Sequence, residues 1–265
     1  KGPWQHHIVS ALVGLVSVLL CFLITRRLLR GDGPEPEAGA EPTALLAAFL
    51  MAVSSWHVVL SRTAFRANMV PLIAGMVVYF FLCSRQAATV GKRLFFSALA
   101  GASLALGFYT YISFRMMVPL LGVLILLELF AAFRKHEFMT NIKRWVLPAL
   151  FCVVAFSAVI FPIARYFYEH AGTFVGRSSQ VSVFNPELNG GHLAATVVEV
   201  FRRSVFAYFS DGDLNWRHNI SGEPFLSKLI NPFFGFALVC ITILALLYTL
   251  MPRRFGRYFP YALLG

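Results

Sequence analysis

Arg62 and Arg66, four residues apart and just after Ser61, and a second short run holding Tyr109, Tyr111 and Arg115, are the side chains best suited to chemistry. A guanidinium keeps its charge at any pH and grips phosphate oxygens with a planar two-pronged fork. Both runs sit at the ends of long apolar stretches, where a charge is costly without a partner, and a lipid-linked phosphate is the obvious one. Arg62 and Arg66 would share a helix face if a helix continues through them, and Tyr111 and Arg115 have the same spacing. The structural alternative for each arginine is snorkelling to headgroups or capping a helix end. Tyr109 fits an interfacial aromatic belt as well as a site. His57 lies inside an apolar stretch and reads as a satisfied structural histidine.

The elements that must position these residues are membrane helices. Of the 265 residues 58% are hydrophobic and 13% charged, and the apolar runs have helix length. The expected fold class is all-α, a polytopic transmembrane helical bundle. Spans are predicted near 8–28, 43–60, 68–84, 94–112, 116–133, 145–164 and 231–251, with an eighth beginning near Phe259. The expected organisation is therefore 1–164 with six spans, 165–230 as an external loop, and 231–265 with the seventh span and the start of the eighth. Gly101 and Ala105 have the small-xxx-small spacing that lets a second helix approach closely.

Orientation follows from the basic clusters. Arg26, Arg27 and Arg30, then Arg85, Lys92 and Arg93, then Arg134, Lys135, Lys143 and Arg144, then Arg253, Arg254 and Arg257 occupy alternate connections. The positive-inside rule makes that side cytoplasmic and puts the turns at 61–67 and 113–115, with the segment 165–230, outside. The net charge of +11 is then mostly a topology signal. No basic stretch carries the interleaved aromatics of a single-strand binder, so no nucleic-acid partner is expected. Cys21, Cys83, Cys152 and Cys240 fall within or at the ends of predicted spans without a CxxC pair, which argues against a disulfide framework or a zinc site.

The external segment is patterned. Val197, Phe201, Val205 and Phe209 recur every four residues while Glu199, Arg202 and Arg203 fall on other faces, as in an amphipathic helix on a membrane surface. Asp211 and Asp213 form a DxD pair that a divalent cation could bridge to a phosphate, although Asp-Gly-Asp is also ordinary turn chemistry. No other cofactor is expected. Arg217 and His218, in a short polar loop, are candidates for contact with a sugar or phosphate.

The runs Ser54-Ser-Trp-His-Val-Val-Leu-Ser-Arg-Thr-Ala-Phe-Arg66, Gly107-Phe-Tyr-Thr-Tyr-Ile-Ser-Phe-Arg115, Arg177-Ser-Ser-Gln-Val-Ser-Val-Phe184 and Trp216-Arg-His-Asn219 resemble, in order, bacterial members of glycosyltransferase family 39. That family groups with the protein O-mannosyltransferases and the lipid A aminoarabinose transferase in the GT-C fold. The resemblance implies an enzyme of the bacterial inner membrane. It would move a sugar from a polyprenyl-phosphate donor to a protein, lipid or glycan acceptor on the non-cytoplasmic face. It implies donor-phosphate contacts at Arg62, Arg66 and Arg115, and substrate contacts at Tyr109, Tyr111, Arg217 and His218. In such families the catalytic carboxylate lies in the first external loop, and residues 1–7 contain no Asp or Glu. The catalytic residue is therefore expected upstream of Lys1, in a longer protein of which this chain is the middle.

Two other classes compete. A lipid or glycan transporter would place ionisable groups near the bilayer midplane and show broken helices or repeats. Here the charges sit at span ends and no repeat is visible. A non-catalytic membrane scaffold is the third reading.

Overall fold

The computed structural model describes residues 4–29, 39–134, 138–172, 176 and 182–209. Every regular element among them is helical. Two compact units result, Lys1–Val198 and Glu199–Gly265, the second described only through Phe209. The predicted spans beyond 230 lie outside the described residues, as do Asp211, Asp213, Arg217, His218 and 177–181 of the third family-like run.

Helix α1 (Trp4–Leu29) is apolar over most of its length and ends in Arg26 and Arg27. Ser10, Gly14 and Ser17 are buried along one face together with Leu20. Small residues at this spacing let neighbouring backbones close in. A side chain at Gly14 would overlap Ser61, and one at Gly75 would meet Leu20 Cδ2 at 2.7 Å.

The predicted span 43–60 is not one helix. It is divided into α2 (Ala40–Val53) and α3 (Ser55–Arg62) by Ser54, whose backbone is extended at φ −62° and ψ 123°. A single 3-10 turn, Arg66–Asn68, then leads into α4 (Met69–Arg85). Helix α5 (Val90–Gly107) stops five residues short of the predicted end at 112. There the chain tightens into i to i+3 bonds, Tyr109 N–H to the Leu106 carbonyl at 3.0 Å and Thr110 N–H to that of Gly107 at 3.1 Å. A second 3-10 turn, Ile112–Met116, opens α6 (Met117–Arg134).

Helix α7 (Phe138–Glu169) runs through Pro148 and Pro162 and extends past both ends of the predicted 145–164. It lies directly on α5. A Cβ at Gly101 would overlap the Cys152 carbonyl, and Gly101 and Ala105 are both buried, so the small-residue pair acts as packing. After α8 (Pro186–Asn189), capped by the Asn185 side chain, Gly190 and Gly191 turn the chain at φ 55° and 83° into α9 (Leu193–Phe209). In α9 Val197 and Phe201 are exposed, while Glu199 binds Arg202 and Arg203; the side chains of Val205 and Phe209, the rest of the predicted stripe, lie outside those described.

Three helices, Trp4–Leu29, Arg66–Arg85 and Arg144–Glu169, are long and apolar enough to cross a membrane. Their uncovered side chains, such as Leu15 and Val153, suit contact with lipid tails. These spans mark the chain as a membrane protein.

Candidate functional site

Two turns carry the arginines, and the first is built on α1. Helix α3 closes with Thr63 N–H donating to the Val59 carbonyl at 3.1 Å, after which Ala64 enters the left-handed region at φ 53°. That conformation disfavours an L residue by roughly 1–2 kcal/mol. Because the helix ends at Arg62 and Arg66 opens a 3-10 turn beyond the reversal, the two arginines do not share a helix face. Both are exposed and neither makes an ion pair among the described residues.

The last carbonyls of α3 have no helical donors, and side chains of α1 supply them. His7 Nδ1–H donates to the Arg62 carbonyl at 2.6 Å and Ser10 Oγ–H to that of Leu60 at 3.3 Å. Asn68, only 1% exposed, donates Nδ2–H to the Ser10 carbonyl at 2.8 Å and to Ser10 Oγ at 3.0 Å. Its Oδ1 is buried and accepts nothing among the described residues. His57, also buried, donates Nε2–H to the Gly14 carbonyl at 3.2 Å, a structural role. The turn bearing Arg62 and Arg66 is thus tied to the first turns of α1.

The second turn is fixed by aromatic packing. Phe114, 1% exposed, sits against Gly107, where any side chain would overlap its ring. Phe108 meets Phe114 and Phe156 edge-on, with centroids 6.3 and 6.0 Å apart. Tyr109 donates its hydroxyl to the Val159 carbonyl of α7 at 2.8 Å, so that polar atom is committed to the scaffold. Tyr111 packs edge-on against Phe65 at 5.4 Å, and this contact brings the two turns together.

Arg115, half-buried, holds its guanidinium carbon 5.7 Å from the centre of the Phe167 ring. Cation–π attraction of this kind holds a guanidinium beside the ring. Phe167 also lines an apolar groove of about 380 Å³ along α7, with Phe156, Ile160, Ile163 and Ala164 of that helix and Phe108 from just past the end of α5. A fixed cation therefore stands beside an apolar furrow.

Carboxylates are engaged elsewhere. Glu169 pairs with Arg165 at 2.9 Å, and Glu199 accepts from Arg202 and Arg203 at 2.8 and 2.7 Å. Hydrogen bonds from those two guanidinium groups hold the Glu199 carboxyl down at about 2, which makes it a poor general base at neutral pH. No cluster of metal-ligand side chains occurs among the described residues.

Of the sequence-predicted residues, the structure brings Arg62, Arg66, Tyr109, Tyr111 and Arg115 to one end of the bundle, with Tyr109 in a scaffold bond. Phe65, Phe167, Asn68, His7 and Ser10 were not expected. Phe65 and Asn68 flank the run ending at Arg66, and a lone amide opening an apolar helix was the one available signal for Asn68. Phe167, remote in sequence, offered none. No family model, curated protein or solved structure matches this chain.

Proposed function

We propose that this chain is the donor-binding part of an integral membrane glycosyltransferase that moves a sugar from a polyprenyl-phosphate carrier to an acceptor on the non-cytoplasmic face. The observation that carries the reading is the Arg115 guanidinium beside the apolar groove, with Phe167 common to both. A polyprenyl phosphate has the matching halves, an isoprenoid tail for the groove and a phosphate for the cation. In transfer the anomeric C–O bond breaks, negative charge grows on the departing phosphate, and a base takes the proton of the acceptor hydroxyl. Arg115, with Arg62 and Arg66 on the adjoining turn, supplies the positive charge for that phosphate.

The GT-C fold and the bacterial inner membrane belong to the same proposal and rest on the four family-like runs, while seven spans with the start of an eighth rest on the lengths of the apolar runs. The general base is assigned to no described residue, and a divalent cation at Asp211 and Asp213 stays an element of the proposal. The test is binding and turnover of a polyprenyl-phosphate sugar by the complete protein in nanodiscs. Arg115→Ala should lower turnover while leaving expression and thermal unfolding unchanged. Full turnover in a folded Arg115→Ala protein removes the groove and its arginine from the reaction.

A second reading has one observation of its own. The break at Ser54, inside what reads as one apolar span, is the kind of discontinuity that transporters use at a substrate site. Movement of a lipid-linked sugar across vesicles without any transfer product would favour a flippase.

A further inference from the structure

At the end of the bundle opposite the two turns, Arg93 on α5 and Arg144 on α7 share one indole. Their guanidinium carbons lie 6.0 and 5.7 Å from the centre of the Trp145 ring. Phe81 of α4 stacks on the same tryptophan, with centroids 6.3 Å apart at 27°. Three helices thus converge on two cations and two aromatic rings.

The backbone at Arg93 is held firmly. Its N–H donates to the Thr89 carbonyl at 3.1 Å, and its carbonyl accepts from Ser84 Oγ at 3.0 Å. Ser84 in turn is bonded to Ser97 Oγ at 2.7 Å. Yet Arg93 Nε is buried and donates to nothing among the described residues. A buried N–H without an acceptor is disfavoured by about 1–3 kcal/mol, more for a charged group. No described carboxylate pairs with Arg93 or Arg144; Glu41, an acid at this end, is bound by Arg26 at 2.7 Å. Two like charges are therefore gathered on one aromatic platform with a donor left over.

We infer that Arg93, Arg144 and Trp145 form a binding site for the phosphodiester headgroup of an anionic phospholipid on the side that the basic clusters mark as cytoplasmic. Basic recesses between membrane helices on that side are the physical setting in which such headgroups are held. The phosphate is an acceptor for the terminal N–H groups of the two guanidinium groups, in charge-assisted hydrogen bonds. Exposed Phe81, stacked on Trp145, leaves apolar surface beside it for an acyl chain. The site stands apart from the proposed donor site and does not depend on it.

The experiment is native mass spectrometry of the full chain, with lipid retention measured for phosphatidylglycerol and for phosphatidylcholine. Wild type should retain phosphatidylglycerol at least about tenfold more tightly, from about 1 kcal/mol per arginine near an anionic headgroup. Arg144→Gln, an exposed position that leaves packing intact, should remove most of that preference, and Arg93→Gln should remove it as well. Lys92→Gln, an exposed cation next to Arg93, should leave it in place. Equal loss in Lys92→Gln and Arg144→Gln would mean diffuse attraction to a basic surface and overturns the site. So does a wild-type chain that holds both lipids alike. Millimolar inorganic phosphate binding in phosphatidylcholine nanodiscs with the same Arg144 dependence would assign the site to a soluble anion and overturn the lipid assignment.

Discussion

The two ends of the bundle treat their arginines differently. At the end that carries the basic clusters Arg27 donates to Gln86 Oε1 at 3.0 Å and lies 5.1 Å from the Tyr79 ring centre, while Gln86 returns a bond to the Arg27 carbonyl at 2.9 Å. Arg26 is paired with Glu41. At the other end the polar bonds go to the backbone, from His7, Ser10, Asn68 and Tyr109, and the exposed guanidinium groups of Arg62 and Arg66 make no ion pair among the described residues. The turn is fastened by everything except its charges. Arg26 and Arg27 are thus held by side chains from elsewhere in the bundle, whereas Arg62 and Arg66, among the described residues, are not.

Breaking the scaffold should erase the contrast altogether. Gly101→Val drives a side chain into the Cys152 carbonyl, which a backbone atom cannot yield to, and should destabilise the bundle by about 3 kcal/mol or more. Thermal unfolding in detergent and expression level read this out; a normal midpoint would show that α5 and α7 do not pack as described.

The next largest effect separates the ends by function. Arg115→Ala in the complete protein should lower kcat/KM for donor by about 2–4 kcal/mol of phosphate stabilisation. Arg27→Ala should lower the unfolding temperature and leave kcat/KM unchanged in the protein that folds. The comparison collapses if both substitutions act alike.

Ala64→Gly sharpens the picture in the stabilising direction. Removing the Cβ from a residue at φ 53° relieves the left-handed strain, offset in part by glycine's greater unfolded entropy, for a net gain of about 0.5–1 kcal/mol. A raised melting temperature with lowered donor turnover would tie the strain to the positioning of Arg62 and Arg66. A lowered temperature counts against the turn geometry.

The smallest effect belongs to α9. The Glu199 carboxyl is depressed in the folded helix, so its contribution is present above its unfolded value near 4.5 and is lost as pH falls toward about 2. Contact with solvent keeps that contribution slight. Amide protection in α9 should fall between pH 5 and pH 3, and Glu199→Gln should abolish this dependence; a pH-independent wild type removes the ion pairs from the helix's stability.

Much of this was legible in the sequence, for physical reasons that name its limits. Apolar runs bounded by arginines locate α1, α4 and α7, and the repeat of Val197 and Phe201 locates α9, because burial in lipid or at its surface writes a periodic pattern. Gly101 and Ala105 announced a close helix contact through size alone. The break at Ser54 left no such trace, since Ala-Val-Ser-Ser contains neither proline nor glycine and the apolar run continues through it. Likewise Thr63-Ala-Phe65 carries no turn residue, so the reversal that parts Arg62 from Arg66 is set by α1 through His7, Ser10 and Asn68, contacts between residues 50 to 58 positions apart. The pairing of Arg115 with Phe167, and the groove beside it, depends in the same way on where α7 lies against α5.

Helix α7 is also a jointed lever. Pro148 and Pro162 bring no N–H to the carbonyls four residues before them, those of Arg144 and Ala158, so the helix has two soft points along its 32 residues. The upper joint falls between Phe156, on one wall of the groove, and Phe167 near Arg115. Tyr109 clasps the chain at Val159, just below that joint, and so braces the lower segment. A few degrees of bend at Pro162 would widen or narrow the furrow and carry Phe167 toward or away from the guanidinium, coupling the fit of a tail to the reach of a charge.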